Sequence, residues 1–247
     1  MWQLLGILRL FGLGLVVTVG LFISLFSGMM SYSVFSAIAR RWYRCVVYCL
    51  GLRCNYQGAS IEQTVLVVSN HISWADVIVI GARWPFVFLS MHAVSSWPVV
   101  GWLARRAGTL FIERGQGAPG AIRQVSEVLG LTRSVVLFPE GRTSPGVRVS
   151  KFHPRIFQAA VDAGVPVQPL GIAYHDKGQH KSLGSRISYA NGGFFDGVWR
   201  TICGPQITAE VQVFEPVLPP HHDRQQLAKT AESKVAGHVA FTLNSCE

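Results

Sequence analysis

The sequence predicts an α/β domain in which a mostly parallel sheet is flanked by helices, preceded by an N-terminal membrane helix or helical hairpin. One observation is an uncharged, apolar stretch of roughly 30 residues near the start of the chain, since about 20 are enough to cross the hydrocarbon core of a bilayer. A second is the alternation of short apolar runs with helical periodicity from Thr64 onward. A third is composition, because 49% hydrophobic and 14% charged residues are unusual for a wholly soluble protein. We therefore assign residues 1–40 to a membrane segment and residues 41–247 to one domain.

The membrane segment runs from Leu10 to Ala39 without a charged residue. It is too long for a cleavable signal peptide, and no small-x-small site leads into a polar start, so we expect it to be retained. Ser27 and Gly28 mark a point at which a buried helix bends readily, so a single span and a monotopic hairpin both fit the sequence. One arginine, Arg9, precedes the stretch, and four follow it: Arg40, Arg41, Arg44 and Arg53. This bias predicts that the domain lies on the cytoplasmic side of the membrane.

The elements that follow are predicted from their apolar patterns. Ala37 to Leu52 places aromatic and apolar residues among arginines, which predicts either an amphipathic helix at the membrane interface or an ordinary packed helix. Five apolar runs then predict strands: Val65–Val68, Phe86–Leu89, Thr109–Ile112, Val135–Phe138 and Val167–Ala173. Three stretches between them predict helices: Pro98–Arg106, Pro119–Leu131 and Arg155–Ala163. Ligands collect at the carboxyl ends of parallel strands, so the residues just after these runs are candidate site residues.

The last third of the chain departs from this alternation. Gly178 to Gly204 contains a Gly-flanked aromatic segment, which predicts an excursion that touches the bilayer or covers an acyl chain, or an aromatic cluster in the core. Val211–Phe214 predicts a last strand. Asp223 is a candidate cap for a closing helix that runs through Leu243.

The charge and the cysteines narrow the possible partners. The net charge is +9, but the sequence has no zinc-finger spacing, no basic helix and no ribonucleoprotein pattern, so we predict no nucleic-acid partner. Arginines close to a membrane segment suit an anionic leaflet, where each contributes about 1 kcal/mol. The five cysteines are odd in number and include no Cys-x2-Cys pair, which indicates neither a disulfide framework nor a zinc site. We predict no metal.

His71 and Asp76 follow the first predicted strand and offer a base with a partner. A neutral imidazole accepts a proton from an alcohol near physiological pH, and a carboxylate beside it fixes the tautomer and stabilises the imidazolium. Arg114 ends the third predicted strand, and a guanidinium binds phosphate through two charge-assisted hydrogen bonds. A base and an anion-binding group are what acyl transfer to a phosphorylated alcohol requires.

The turn Glu140-Gly141-Arg142 follows the fourth predicted strand. Gly141 permits a close approach of the backbone, and Arg142 adds a second cation. Glu140 has three open interpretations: it orients an arginine, it orients a substrate glycerol, or it forms a structural ion pair. The sequence has no Gly-x-Ser-x-Gly elbow and no cysteine in a nucleophile context, so direct attack of a substrate hydroxyl on a thioester is the simpler scheme.

Four blocks of the sequence resemble, in order and spacing, the motifs of the 1-acylglycerol-3-phosphate O-acyltransferase (lysophospholipid acyltransferase) family. They are Asn70-His71 with Asp76, Gly108 to Arg114, Phe138 to Gly141, and Val165 to Leu170. The resemblance covers about Thr64 to Tyr174 and identifies residues 41–247 as an acyltransferase domain. Two positions depart from the family pattern, because Arg142-Thr143 stands where many members have Thr-Arg, and Met91-His92 stands where many have a lysine.

The resemblance implies a role for each matching residue. His71 is the catalytic base and Asp76 its partner. Substrate-binding roles are implied for six residues: Asn70, Arg114, Glu140, Gly141, Arg142 and Pro166. The arginine at the strand end and the Glu-Gly block bind the phosphate and glycerol of the acceptor, and Pro166 shapes the acyl-donor side.

The implied activity is transfer of a fatty acyl group from acyl-CoA or acyl carrier protein to the free hydroxyl of lysophosphatidic acid, which gives phosphatidic acid. No cofactor beyond the acyl donor is expected, and the partners are membrane lipid, the lyso-lipid and the donor. Two alternatives stay open. One is an acyltransferase for another lyso-lipid, such as lyso-ornithine lipid, and the other is a non-catalytic membrane protein that binds lipids.

Overall fold

The computed structural model describes residues 2–112, 117–176, 182–188, 193–218 and 223–244. Its first elements are α1 (Trp2–Leu25), a 3-10 turn over Ser27–Met29 and α2 (Tyr32–Cys49). The other α-helices are α3 (Ala75–Gly81), α4 (His92–Ser95), α5 (Val100–Arg106), α6 (Gly117–Gly130), α7 (Gln158–Ala163), α8 (Gly184–Ile187), α9 (Phe194–Ile202) and α10 (Arg224–Asn244), and a second 3-10 turn covers Pro154–Phe157.

In the described part of the chain, seven strands form one mixed sheet. They are β1 (Leu52–Gly58), β2 (Leu66–Ser69), β3 (Val87–Met91), β4 (Leu110–Ile112), β5 (Val135–Leu137), β6 (Val167–Asp176) and β7 (Ile207–Val213). The order across the sheet is β1-β7-β6-β2-β5-β3-β4. The five strands from β6 to β4 are parallel, whereas β7 runs antiparallel to β6 and pairs in parallel with β1. This confirms the predicted α/β class with a mostly parallel sheet.

Helices cover both faces of the sheet, so β2, β5 and β6 are buried on both sides. On one face, side chains of α2, α3, α8 and α9 pack with the sheet in one core, and α1 packs against it through Leu13 and Val16. On the other face, α6, α7 and α10 form a second core with the sheet. The domain therefore has three layers, with helices on either side of the sheet.

The N-terminal segment folds as a hairpin of α1 and α2. The predicted break at Ser27-Gly28 is confirmed, since α1 ends at Leu25 and Ser31 caps α2 by accepting the amide of Val34 at 3.4 Å. The Trp42 indole donates to the Val16 carbonyl at 2.8 Å and ties the two helices together. Among the described residues, one helix is long and apolar enough to cross a membrane, namely α1 over Gln3–Leu25.

The remaining sequence predictions fare unevenly. All six predicted strands overlap observed ones, and Asp223 caps α10 by accepting the amides of Gln225 and Gln226 at 2.8 and 3.2 Å. The predicted helix over Ala37–Leu52 is shifted, because α2 begins at Tyr32 and ends at Cys49. Strand β1 was not predicted, since most of it is polar and one residue, Leu52, is fully buried.

Candidate active site

Two of the predicted motifs meet at the carboxyl edge of the parallel strands. His71 lies in the loop between β2 and α3, and Glu140 follows β5, which pairs with β2. Phe138 also follows β5, and its ring stacks on the His71 imidazole with centroids 4.0 Å apart and planes 12° apart. Neighbouring parallel strands therefore deliver the predicted base and the predicted Glu-Gly turn to one place.

Asn70 fixes the start of the loop that carries His71. Its amide nitrogen donates to the Ile172 carbonyl and its amide oxygen accepts the Ile172 N–H, both at 2.8 Å. Asn70 is buried, and these bonds satisfy one N–H donor and one acceptor position of its amide and extend the β2–β6 pairing by one side chain. The loop thus leaves the sheet at a fixed point.

Asp76 is a fully buried carboxylate with four donors. Its Oδ2 accepts the Nδ1 proton of His71 at 2.7 Å and the amides of Ile72 and Ser73 at 2.7 and 2.9 Å. Its Oδ1 accepts the Tyr174 hydroxyl at 2.8 Å. Because Oδ2 accepts three hydrogen bonds and is not a donor to the ring, the neutral imidazole carries its proton on Nδ1. Within the described residues Nε2 has no hydrogen-bond partner, and the His71 side chain is 21% exposed.

Glu140 holds the backbone of the same loop from the other side. Its Oε1 accepts the His71 amide at 2.8 Å, and its Oε2 accepts the Ser150 amide at 2.9 Å. The His71 carbonyl in turn accepts the Ser144 amide at 2.8 Å. Burial of Glu140 raises the pKa of its carboxyl above the ordinary value, and the two backbone hydrogen bonds oppose that shift. The segment from Glu140 to Ser150 therefore wraps around His71.

Two glycines permit this wrapping. Gly141 and Gly146 have φ of +69° and +76°, a region that side chains with a Cβ avoid. A Cβ on Gly146 would also lie 2.8 Å from Cδ1 of Ile72, the residue next to His71. A glycine at 146 is therefore required both by the backbone and by the packing against the histidine loop.

The chain is similar in sequence to known acyltransferases. An acyltransferase family model matches residues 53–173. A lyso-ornithine lipid O-acyltransferase of Pseudomonas aeruginosa is 35% identical over 199 residues, which are 80% of this chain and 76% of that protein. The chain belongs to the lysophospholipid acyltransferase family. Another relative is a 1-acyl-sn-glycerol-3-phosphate acyltransferase of Neisseria gonorrhoeae, which is 34% identical over 66% of this chain and 64% of its own length.

The solved structure of another acyltransferase has the same fold. The 1-acyl-sn-glycerophosphate acyltransferase PlsC of Thermotoga maritima superimposes with a TM-score of 0.72, with 20% identity, over 97% of this chain and 96% of that one. The similarity extends over nearly the whole chain and so includes the N-terminal hairpin as well as the sheet.

The structure brings some of the predicted acyltransferase residues together and separates others. Asn70, His71, Asp76, Glu140 and Gly141 form one connected group at the carboxyl edge of the sheet, with Arg142 exposed beside it. The prediction for Arg114 falls outside the described residues. Pro166 lies at the opposite end of the parallel strands, where its carbonyl accepts the Leu66 amide at 2.9 Å, so the structure does not bring it to His71.

Sequence reasoning missed Tyr174. It is fully buried on β6, on the same face of the strand as Leu170 and Ile172, and burial together with the Asp76 carboxylate raises its pKa well above the ordinary value, so the hydroxyl remains a donor. A tyrosine on the same face of a strand as Leu170 and Ile172 is buried in an apolar core and requires a hydrogen-bond partner, and that requirement is the signal that would have singled it out. In the described part of the chain, no group of three His, Cys, Asp or Glu side chains is placed to hold a metal.

Proposed function

We propose that this acyltransferase moves a fatty acyl group from a thioester donor, acyl-CoA or acyl carrier protein, to the hydroxyl of a lyso-lipid, with His71 as the general base. The observation that carries the proposal is the His71–Asp76 pair, in which Nδ1 is engaged at 2.7 Å and Nε2 is left for the substrate. His71 Nε2 takes the hydroxyl proton as the oxygen attacks the thioester carbonyl. The tetrahedral intermediate then collapses, the C–S bond breaks, and the departing thiolate takes the proton from Nε2.

The surroundings of His71 support an anionic substrate. Arg142 and Arg148 are exposed on the segment that wraps around the histidine, Lys151 is exposed directly after it, and the three give this part of the surface a positive charge. An acidic carrier protein or the phosphates of CoA would be attracted to it, as would an anionic headgroup. We propose that Glu140 positions His71, since its two carboxylate oxygens accept the backbone amides of His71 and Ser150.

For the acceptor, lyso-ornithine lipid is our first candidate. The P. aeruginosa relative named for that acceptor aligns over 80% of this chain, against 66% for the Neisseria relative named for 1-acyl-sn-glycerol-3-phosphate. Two positions also depart from the cation pattern of the phosphate-binding family members, at Arg142-Thr143 and at Met91-His92. Lysophosphatidic acid is the second candidate, favoured by the exposed cations Arg142, Arg148 and Lys151.

Substitution of the base tests the chemistry. We expect purified His71→Ala to lose at least about 100-fold in kcat, the lower limit usual for loss of a general base. His153→Ala is the matched control, because His153 is exposed, lies close to Gly141 and makes no contact with Asp76. A His71→Ala protein that transfers acyl groups as fast as the wild type would refute the assignment.

An acceptor panel tests the substrate. Wild-type protein would be assayed with lyso-ornithine lipid, lysophosphatidic acid and lysophosphatidylethanolamine, each with acyl-CoA and with acyl carrier protein as donor. Turnover of lyso-ornithine lipid at the highest kcat/KM supports the first candidate. Turnover of lysophosphatidic acid alone would overturn it and leave the base assignment intact.

We also propose that the hairpin holds the protein on the cytoplasmic face of the membrane. Contacts to the domain occur near both ends of α1: Arg9 donates to the carbonyls of Ile202 and Gly204, both at 2.9 Å, and Ser24 accepts the Trp102 indole at 2.8 Å. A helix held along the domain in this way favours a monotopic hairpin over a perpendicular span. Protease digestion of spheroplasts and of inverted vesicles tests the side, and the domain should be cut only in the latter.

A further inference from the structure

Helix α9 carries an exposed aromatic pair that the chemistry at His71 does not use. Phe195 is 83% exposed and Trp199 is 48% exposed, and their spacing of four residues places them on the same side of the helix. The opposite side is buried through Gly197 and Thr201. A pair of large aromatic side chains that stays exposed on a helix whose other side is buried indicates a contact surface.

The C-terminal end of the helix that carries the pair contacts the apolar helix α1. Arg9 of α1 hydrogen-bonds to the end of α9 and to Gly204 just after it, and Gly6 of α1 packs against Cys203 so closely that a Cβ there would be 2.5 Å from its sulfur. Both helices cover the same face of the sheet. The aromatic pair therefore lies on a helix that adjoins α1 on the same face of the sheet.

Exposed apolar side chains are concentrated on that side. Among the described residues, α1, α2 and the turn between them expose the following large apolar side chains: Leu4, Ile7, Leu8, Leu10, Phe11, Leu15, Val19, Phe22, Leu25, Phe26, Met29, Tyr32, Val34 and Tyr48. On the other face of the sheet, the described α6, α7 and α10 expose one, Phe241. An apolar surface of this extent on one side of a domain is typical of a membrane contact.

The second edge of α9 is charged. Asp196 and Arg200 form an ion pair at 3.3 Å, next to the aromatic pair on the helix surface. A short helix with Phe and Trp on one edge and ionic groups on the next is suited to lie at the boundary between acyl chains and water.

Helix α9 also contacts the loop of the proposed base. Phe194 packs edge-on against Trp74, with centroids 5.5 Å apart, and against Trp97 at 5.2 Å. Trp74 lies between His71 and Asp76 in the sequence. Whatever surface α9 touches is therefore next to the site.

We propose that Phe195 and Trp199 insert into the lipid bilayer as a second membrane contact, separate from the α1–α2 hairpin, and hold the His71 loop at the surface from which the lyso-lipid is taken. The inference rests on the proposed function only in the identity of the acceptor. The occupant of the aromatic surface is the bilayer itself.

A depth measurement tests insertion without reference to activity. Full-length protein carrying an environment-sensitive fluorescent amino acid at position 195 would be reconstituted in phosphatidylethanolamine–phosphatidylglycerol vesicles that contain brominated acyl chains. We expect strong quenching at position 195 and none at position 241 on α10, which is the matched exposed aromatic position. Equal quenching at both positions, or none at 195, would overturn the proposal and would indicate that the pair faces water or another protein.

An activity measurement tests the consequence. In Phe195→Ser/Trp199→Ser we expect KM for a vesicle-embedded lyso-lipid to rise about tenfold or more, since interfacial burial of two aromatic side chains is lost. With a short-chain, monomeric lyso-lipid, kcat should stay at the wild-type value, and Phe241→Ser should behave as wild type in both assays. An unchanged KM on vesicles, or an equal loss on the monomeric acceptor, would refute the proposal, whereas a wild-type protein inactive on every acceptor would refute the proposed function instead.

Discussion

The Tyr174 hydroxyl offers a sharp test of how the dyad is held. Tyr174→Phe keeps the ring that packs in the core and removes the donor to Asp76 Oδ1, 2.8 Å away and fully buried. A hydrogen bond to a charged group contributes about 1.5–3 kcal/mol, and the Asp76 carboxylate that loses this donor is fully buried. For a chain of this length the melting temperature changes by roughly 2–4 °C per kcal/mol, so we expect Tm to fall by about 3–12 °C.

The effect on catalysis follows from the orientation of the carboxylate. Without the tyrosine donor, Asp76 is less firmly oriented, so the base that it holds is misplaced. We expect kcat to fall about tenfold, equivalent to about 1.4 kcal/mol of barrier. KM should stay the same, because the removed hydroxyl is buried against Asp76 and does not touch the substrate.

Tyr56→Phe is the control for this experiment. The Tyr56 hydroxyl donates to the Val79 carbonyl at 2.7 Å, in the same core as Tyr174 and without contact to Asp76. Its loss should lower the free energy of unfolding by the contribution of a neutral hydrogen bond alone, about 0.5–1.5 kcal/mol, and should leave kcat unchanged. If Tyr174→Phe shows the same kcat as Tyr56→Phe, Tyr174 supports the fold and does not position the dyad.

Three further substitutions test the surroundings of the histidine. Asn70→Ala leaves a backbone N–H and a carbonyl unpaired in the core, so we expect the free energy of unfolding to fall by about 2–4 kcal/mol in thermal denaturation, whereas Asn55→Ala at an exposed position should change it little. Gly146→Ala combines a left-handed backbone, at about 1–2 kcal/mol, with overpacking of about 1–3 kcal/mol, and should lower both Tm and kcat. Gly164→Ala has φ of +64° and open space, so it should lower Tm alone, and the reverse pattern would contradict the packing argument. Because burial raises the pKa of Glu140 above 4.5, the folded state binds that proton more tightly than the unfolded chain, and its contribution to stability falls as pH rises above 4.5. The Tm difference between wild type and Glu140→Gln should therefore shrink as the pH rises above 4.5, and a growing difference would show that the backbone hydrogen bonds prevail.

The core strands were predictable because their side chains are locally diagnostic. Runs such as Val65–Val68 and Val135–Phe138 are short, apolar and rich in β-branched residues, and a strand buried on both faces requires that composition. Strand β1 lacks the pattern because it is a polar edge strand, and its pairing with β7 joins residues about 155 positions apart in the chain. Its formation depends on a partner that local sequence does not show.

The same distinction applies to the site. The spacing of His71 and Asp76 is local, so a motif identifies it. The contacts that hold the pair are not local, because Glu140 lies 69 residues from His71 and Tyr174 lies 98 residues from Asp76. The sequence thus indicates which side chain does the chemistry, and the fold is needed to show which side chains fix its position.

The position of His71 is determined from four directions at once. Its amide is held by Glu140, its carbonyl by the Ser144 amide, its Nδ1 by Asp76 and its ring face by Phe138. These contacts come from separate segments of the chain. They all form only when β2 and β5 are paired in the sheet and the segment after β5 is folded over the loop. A base held in this way needs little reorganisation when the hydroxyl arrives. Substitution of a neighbour that never touches the substrate should therefore lower kcat and leave KM unchanged. A change in kcat alone thus separates positioning residues from residues that bind the acceptor.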